Sequence, residues 1–300
     1  MNNFFKNFTS NGFEISDLDV LSKEEVRKLS NIANKLFSKF KGNISKRSPF
    51  IEDYIPPNEG SEVILRFPQQ SKEAFFIIEK LLNNKNIKTI LSKFLGSKYK
   101  LRQIGLRRSL SGDPGMYLHQ DGIGETNIGI LLSDNEEGLG STIFLPSSHL
   151  IKTSMKKWNI ETHPSILKYL NFLMRPIKGK KGNVFFFFNR TWHGRSPNNS
   201  SRNFDVILMS FHPNCVDFEK DNWDSKFLAS IRGTTFSKLI NFKIDKKNKI
   251  LEKVPFAMQI EGDNSLKIPN KNKLSLFSMI FILRLIFKVY RTLKFFKIRF

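Results

Sequence analysis

Apolar residues in the first hundred positions recur every three or four residues, which is the spacing of one face of an α-helix. A capping box precedes the first run, because Ser22 can accept a hydrogen bond from the amide of Glu25 while the Glu25 side chain reaches back. This pattern predicts a helix that continues to Phe40. Further helices are predicted over 71–82 and 87–95, the second ending at a glycine. The first helix has the apolar stripe Val26, Leu29, Ile32, Leu36 and Phe40.

The pattern changes near Lys98, where short runs rich in β-branched and aromatic residues replace the helical spacing. Glycine, proline, asparagine and aspartate separate these runs. One helix is predicted to interrupt them near residues 164–173, because Pro164 suits the first position of a helix. Many short strands at this spacing favour an antiparallel barrel or sandwich with flanking helices. The predicted strands cover residues 99–110, 115–121, 127–133, 141–146, 183–189 and 203–212.

The chain is strongly basic. Its 300 residues include 49 Lys and Arg against 27 Asp and Glu, a formal net charge of +22. Such a charge favours phosphate-rich partners, either nucleic acid or an anionic membrane. A general compositional bias toward Lys, Asn, Ile and Phe produces the same excess. Because the sequence lacks the basic and aromatic pattern of a recognisable nucleic-acid module, it does not favour nucleic acid as a partner.

Cysteine usage and the N-terminus bear on the compartment. The single cysteine, Cys215, excludes an internal disulfide and a zinc site built from cysteines. The N-terminal segment shows no basic region followed by an apolar run, which is the pattern of a signal peptide. Both features favour a reducing compartment, and we expect the protein to be cytoplasmic.

The stretch YLHQDG at residues 117–122 places a histidine and an aspartate two positions apart. On a β-strand such residues project to the same face, so His119 and Asp121 can share a metal ion. Two histidines and one carboxylate around an open coordination face are typical of iron(II) oxygenases. Zinc accepts the same ligands, but the chain carries no His-Glu-x-x-His motif. The candidates for the third ligand are His149, His163, His193 and His212.

His193 is the strongest of these candidates, because it follows the apolar strand 183–189 and precedes a polar turn. Arg202 lies at the far side of that turn. If the flanking strands are antiparallel neighbours, the Arg202 guanidinium can bind a carboxylate near the metal with two parallel hydrogen bonds. An acid that chelates iron with one end and reaches Arg202 with the other is 2-oxoglutarate. Arg107 and Arg108 offer another cation, because strand alternation turns one of them inward.

Three stretches, in this order, resemble the phytanoyl-CoA dioxygenase family of iron(II)- and 2-oxoglutarate-dependent oxygenases. They are YLHQDG at 117–122, GSTIFLPSSHL at 140–150 and KKGNVFFFFNRTWHGRSPNNSSR at 180–202. The resemblance implies a double-stranded β-helix, a cupin-like jelly roll of two facing sheets. It also implies iron(II), 2-oxoglutarate and O2 as cofactor and cosubstrates. It assigns the iron ligands as His119, Asp121 and His193. It assigns the contacts of 2-oxoglutarate as Arg202 and Ser196.

The chain departs from the family at three points. Arg195 stands where many members have a serine, and Ser196 follows it. Arg202 is two residues closer to His193 than in many members. Ser147 replaces the usual glycine of the Pro-Gly-Ser-His stretch. The first two departures affect the expected contacts of 2-oxoglutarate and leave the iron ligands unchanged.

Residues 264–300 form a distinct tail with nine Lys or Arg and no acidic residue. As a helix, four of its basic residues fall within about 80° of one another. A basic amphipathic helix of this kind is typical of the surface of an anionic membrane. The alternatives are a helix packed on the barrel and a bilayer span, although the apolar run 279–283 is short for a span. The four basic residues are Arg284, Lys288, Arg291 and Arg299.

These observations predict one domain over 1–262, with a helical part over 1–97 and a β-helix core over 98–215, followed by the tail, 263–300. We expect an enzyme that hydroxylates an unactivated C–H bond, since Asp121 is present where related halogenating enzymes lack the carboxylate. The expected substrate is a small molecule or a lipid-linked compound. If the tail binds a membrane, the protein is peripheral on its inner face. The alternatives are a Kdo-hydroxylase-like enzyme of envelope sugars and a non-catalytic β-barrel binding module at a membrane surface.

Overall fold

Two antiparallel β-sheets face each other and enclose the centre of the protein. The computed structural model describes residues 2–16, 18–40, 54–55, 61–121, 124–151, 171–214, 223–240 and 268–295. The helix predicted near residues 164–173 falls largely outside this part of the chain, as does His163.

The two sheets form the double-stranded β-helix predicted from the sequence. The larger sheet has the strand order β1-β9-β6-β11-β4-β3-β2, and the smaller has the order β5-β10-β7-β8. All neighbouring strands are antiparallel. The strands are β1 Phe13–Ser16, β2 Tyr54–Ile55, β3 Ser61–Leu65, β4 Lys100–Ser109, β5 Met116–His119, β6 Thr126–Leu131, β7 Thr142–Phe144, β8 Arg175–Pro176, β9 Val184–Phe188, β10 His193–Arg195 and β11 Phe204–His212.

Most of the helices pack on the larger sheet and share its main hydrophobic core. The predicted capping box is present, with Ser22 N donating to Glu25 Oε2 at 2.7 Å and Glu25 N donating to Ser22 Oγ at 3.2 Å. All three helices predicted in the first hundred residues are confirmed. The helices are α1 Asn2–Asn11, α2 Lys23–Phe40, α3 Lys72–Asn83, α4 Lys85–Leu95, α5 Ser225–Ser230, α6 Thr235–Ile240 and α7 Asn270–Phe295.

Residues 1–97 also contain short strands, which were not predicted from the sequence. They supply β1, which pairs with β9, and β3, which pairs with β4. Both strands are only four or five residues long. Short strands of this kind take their stability from the strands they pair with, so the local sequence gives little sign of them. The N-terminal part therefore completes the larger sheet.

The tail is also part of the domain, at least at its beginning. On α7, Leu276 and Met279 are fully buried against side chains of the smaller sheet, including Leu118 and Trp192. The packed-helix alternative is thus correct for this part of the tail. Although α7 has 26 residues, neither it nor any other helix in the described part of the chain is apolar enough to cross a membrane.

Ser147 connects α7 to the rest of the domain through hydrogen bonds. It has a φ of 65°, in the left-handed region, and this explains why a glycine is usual at this position of the family motif. The strain is offset by hydrogen bonds. Ser147 N donates to the carbonyl of Asn11 at 2.7 Å, and Ser147 Oγ donates to the carbonyl of Ser10 at 2.6 Å. Asn272 of α7 donates to Ser147 Oγ at 2.8 Å.

Two leucines of α7 give a matched test of this packing. Replacing the buried Leu276 with alanine should lower the free energy of unfolding by about 2–5 kcal/mol, because it leaves a cavity between α7 and the smaller sheet. Leu274 is 77% exposed on the same helix, and its replacement should change stability by less than about 0.5 kcal/mol. Chemical denaturation measures both values. Equal effects of the two substitutions would show that α7 does not pack as described.

His149 makes the fold sensitive to acid. Burial lowers the pKa of His149 from an ordinary value of 6.5 to about 4, and its hydrogen bond to the Thr9 carbonyl offsets this only in part. As the pH falls, His149 is therefore protonated in the unfolded chain at a higher pH than in the folded protein. The free energy of unfolding should fall as the pH drops from about 6.5 to about 4, by roughly 3 kcal/mol from this group. Denaturation across this pH range should show a smaller loss in His149→Gln, and an unchanged loss would contradict this origin.

Candidate metal centre

Two neighbouring strands of the smaller sheet bring the predicted histidines together. β5 ends at His119 and β10 begins at His193, and the antiparallel pairing places these residues directly opposite each other. Their imidazole rings are 4.3 Å apart between centroids. Both side chains line the cavity between the two sheets. The strand pairing itself therefore positions two of the three predicted ligands.

Asp121 completes the cluster from the segment that leaves β5. Its amide donates to the carbonyl of Asn189 at 3.0 Å, which fastens this segment to the end of β9. The Asp121 carboxylate lies 3.3 Å from His193 Nε2 and 3.8 Å from His119 Nε2. One ligand atom from each of the three residues lies within 4.8 Å of the other two. The structure thus assembles the three residues that the sequence predicts as metal ligands.

The surroundings keep these ligand atoms available. His193 Nδ1 lies 2.8 Å from the carbonyl of Thr191 and donates to it, so Nε2 can hold the lone pair that a metal needs. Burial raises the pKa of Asp121, but its interactions with His193, His119 and Arg107 outweigh this effect. The pKa of Asp121 therefore lies well below its usual range. The group is ionised, as a metal-binding carboxylate must be.

This donor set fits iron(II). Two imidazoles and one carboxylate beside an open cavity leave coordination positions for a cosubstrate and O2. Among the residues that the structure describes, this is the one group of three such side chains close enough to hold a metal ion. Two other candidate histidines have different roles: His149 is buried against Thr9, and His212 Nδ1 bonds with the Pro213 carbonyl at 2.8 Å.

The cavity beside the three ligands has a volume of about 240 Å³. Polar and charged side chains make up most of its lining, and apolar side chains complete it. The apolar lining includes Phe187, Phe204, Val206 and Leu208, and the polar lining includes Gln103, Asn127, Asn189 and Ser210.

Four arginines contribute to the cavity lining, and three of them have a carboxylate partner. Arg102 bonds with Glu125 at 2.9 Å, and Arg195 with Asp113 at 3.1 Å. Arg108 forms a bidentate pair with Asp205 at 2.7 and 2.6 Å. The fourth arginine is Arg107, for which the described part of the chain provides no salt bridge.

Among the described residues, Arg107 is therefore the arginine of the cavity lining that has no carboxylate partner. It lies on β4, opposite Val206 of β11. Its charge interacts with those of Asp121 and Arg195, so it lies within electrostatic reach of the metal ligands. Strand alternation indicated that Arg107 or Arg108 turns inward, but it could not say which. Arg108 bonds with Asp205 and with Asn34 of α2, and it stacks on Phe37 of the same helix, so its side chain turns toward α2 and Arg107 is the inward residue.

Arg202 and Ser196, the predicted contacts of 2-oxoglutarate, do not line this cavity. Arg202 lies in the exposed turn before β11, where its carbonyl accepts a hydrogen bond from Asn198 at 2.9 Å. β11 begins at Phe204, after this turn, and Phe204 is the first residue of the strand that lines the cavity. Ser196 is buried, and its hydroxyl donates to the carbonyl of Gly138 at 2.8 Å. The structure does not bring these two side chains to the three ligands.

A buried carboxylate, Glu125, supports the segment of Asp121 and was not singled out in the sequence. It accepts hydrogen bonds from Arg102 and from the Asn189 side chain. Burial raises the pKa of Glu125 to about 7, against the lowering influence of Arg102. Asn189 links this pair to the backbone of Asp121. The sequence feature that could have indicated this network is Asn189, which directly follows the four phenylalanines of β9.

Solved structures share this fold. AviO1 from Streptomyces viridochromogenes Tue57 has a TM-score of 0.55 and 19% identity, covering 72% of this chain and 96% of its own. EctD from S. alaskensis, solved with 2-oxoglutarate and 5-hydroxyectoine, has a TM-score of 0.53 and 17% identity, covering 71% and 76%. The non-haem α-ketoglutarate-dependent epimerase SnoN from nogalamycin biosynthesis has a TM-score of 0.54 and 15% identity, covering 71% and 83%.

Sequence comparison identifies the family. The family model of phytanoyl-CoA dioxygenase (PhyH) matches residues 15–203, well over half of the chain. No curated protein gives a significant match. The matched range includes all three candidate metal ligands and both strands that carry the histidines. The chain therefore belongs to the phytanoyl-CoA dioxygenase family and is an iron(II)- and 2-oxoglutarate-dependent oxygenase.

Proposed function

We propose that the protein hydroxylates an unactivated C–H bond of its substrate. The observation that supports this proposal is the Asp121 carboxylate, which lies within ligand distance of both histidines. Related halogenating enzymes lack a carboxylate at this position. When bound, iron couples the decarboxylation of 2-oxoglutarate to the transfer of an oxygen atom from O2 to the substrate.

The chain supplies position and environment for this reaction. His119, Asp121 and His193 would hold the metal, and all three residues line the cavity. Phe187 and Val206 supply apolar surface on which the hydrocarbon part of a substrate can pack. The substrate carbon must enter this space to react.

Arg107 is our proposed anchor for the far carboxylate of 2-oxoglutarate. With two neutral histidines and one carboxylate, a divalent iron leaves the centre with a single positive charge. A bound dianion therefore needs one further positive charge, because an uncompensated buried charge costs several kcal/mol. Arg107 supplies this charge, whereas the other arginines of the cavity are balanced by Glu125, Asp205 and Asp113. A guanidinium also matches a carboxylate with two parallel hydrogen bonds.

Isotopically labelled O2 tests the proposed reaction. The iron-loaded protein is incubated with 2-oxoglutarate, labelled O2 and an extract of small molecules and lipids, and the products are analysed by mass spectrometry. Hydroxylation predicts a product that gains one labelled oxygen atom. The product should require 2-oxoglutarate and should be missing with the His193→Ala variant.

The same experiment separates the alternatives. A product isomeric with its substrate and free of label would contradict hydroxylation and favour epimerisation, the activity named for SnoN. A labelled sugar would favour the envelope-sugar alternative over a lipid substrate. A protein that binds neither iron nor 2-oxoglutarate would favour the non-catalytic binding module.

A further inference from the structure

The side of α7 that faces away from the smaller sheet carries a row of exposed apolar side chains. Its large side chains follow one another at intervals of three and four residues, so they form one stripe. At about 100° per residue, this stripe points opposite to the buried face that contains Leu276 and Met279. The helix is therefore apolar on two sides, only one of which is packed. The apolar stripe of α7 consists of four residues that are each more than half exposed: Leu274, Phe277, Phe281 and Leu285.

This stripe accounts for most of the exposed apolar surface in the described part of the chain. Seven large apolar side chains are exposed there, and four of them belong to the stripe. A fifth, Phe172, is 76% exposed on a short 3-10 helix that contacts α7. Soluble proteins rarely expose a contiguous apolar patch of this kind unless it binds something.

The charge of the surrounding chain indicates the kind of partner. Residues 268–295 include six Lys or Arg and no acidic residue. A second copy of this chain would bring the same basic helix and a net charge of +22, so like charges would oppose its approach. An anionic membrane offers both an apolar interior for the stripe and negative headgroups for the basic residues.

We propose that the apolar stripe of α7 inserts into the surface of an anionic membrane and holds the protein there. The helix lies in the plane of the membrane, with its stripe inward and its packed side toward the domain. Because Leu276 and Met279 fix α7 to the smaller sheet, the binding surface is rigidly joined to the domain. Membrane binding of this kind does not depend on which reaction the enzyme catalyses.

The position of α7 relates the membrane to the metal centre. Leu118 and Trp192, which pack in the cluster with α7, directly precede the metal ligands His119 and His193 in sequence. The strands that hold the metal are thus separated from the membrane by about one helix diameter, roughly 10 Å. This arrangement favours a lipid or lipid-linked substrate, an extension that rests on the proposed function.

Vesicle flotation of the full-length, iron-loaded protein tests the proposal. Vesicles of phosphatidylcholine alone are compared with vesicles that also contain phosphatidylglycerol. The variant Phe277→Ser/Phe281→Ser removes two aromatic rings from the stripe. The matched control, Phe76→Ser/Leu228→Ser, removes two exposed apolar side chains located elsewhere. Thermal unfolding and succinate formation from 2-oxoglutarate are measured on each protein.

The wild type and the control should bind the phosphatidylglycerol vesicles, and the stripe variant should bind at least about tenfold more weakly. Binding should fall as salt is added. Both variants should keep the wild-type melting temperature and succinate formation, so a failure of the catalytic proposal remains distinguishable. The proposal is overturned if the stripe variant binds as tightly as the wild type, or if the wild type does not bind anionic vesicles. A wild-type dimer that the stripe variant abolishes would likewise overturn it.

Discussion

Replacing Asp121 with alanine should reduce oxygen-dependent formation of succinate by more than about a hundredfold. Changes to residues that only support metal ligands already lower metal affinity or activity by about tenfold to a hundredfold. Asp121 contributes more, because its carboxylate lies within 3.8 Å of both histidine Nε2 atoms and is the one anionic ligand of the group. Without it, iron is held by two neutral imidazoles. The loss should appear both in iron affinity, measured by calorimetry, and in succinate formation at saturating iron.

An exposed aspartate provides the control for this experiment. Asp19 lies outside the cavity, and its replacement by alanine should leave iron affinity and succinate formation at wild-type values. Full activity in Asp121→Ala would contradict the assignment of Asp121 as a ligand. Equal losses in both variants would indicate a general effect on folding, which thermal unfolding would reveal.

Replacing Arg107 with methionine should raise the KM for 2-oxoglutarate by about tenfold to a hundredfold, since hydrogen bonds to charged groups contribute about 1.5–3 kcal/mol. Methionine keeps much of the side-chain length and removes the charge. Iron affinity in the absence of 2-oxoglutarate should stay close to the wild-type value, because Arg107 is not a metal ligand. Calorimetric titration of 2-oxoglutarate into the iron-loaded protein under argon measures the effect without turnover.

Arg202→Met is the matched control, since the sequence predicted this arginine as the carboxylate partner and the structure places it in an exposed turn. Its affinity for 2-oxoglutarate should equal that of the wild type. The opposite pattern, with a loss in Arg202→Met and none in Arg107→Met, would overturn the assignment. Arg107→Lys should recover part of the affinity, because lysine keeps the charge and loses the bidentate geometry.

The metal ligands could be predicted from sequence because each lies in a stretch with its own pattern. His119 and Asp121 share a strand face, and His193 follows a strand of four phenylalanines. The contacts of 2-oxoglutarate were harder, because they depend on which inward position of each strand carries the cation. Arg202 precedes β11 and lies outside the cavity, whereas Arg107 lines the cavity from β4. This difference depends on how β4 pairs with β11, which the sequence does not show.

The spacing of apolar residues favoured an antiparallel barrel or sandwich, and the family resemblance implied the double-stranded β-helix, but neither indicated two features of the fold. β1 and β3 are short strands whose stability depends on pairing with β9 and β4, so the local sequence does not indicate them. The tail combines basic and apolar residues, and the sequence favoured a membrane surface for it. The structure packs one side of α7 on the smaller sheet and leaves the apolar stripe exposed on the other. A helix with two apolar sides is compatible with both readings of its sequence.

Anaerobic titration of iron(II) and 2-oxoglutarate into the purified protein tests the central assignment most directly. A visible charge-transfer band should appear only when both are present, because it arises from 2-oxoglutarate chelated to protein-bound iron. We predict that the band saturates at one iron per chain and that it is lost or greatly weakened in His193→Ala. A wild-type protein that shows no band, and no binding of iron by calorimetry, would contradict the assignment of His119, Asp121 and His193 as an iron site.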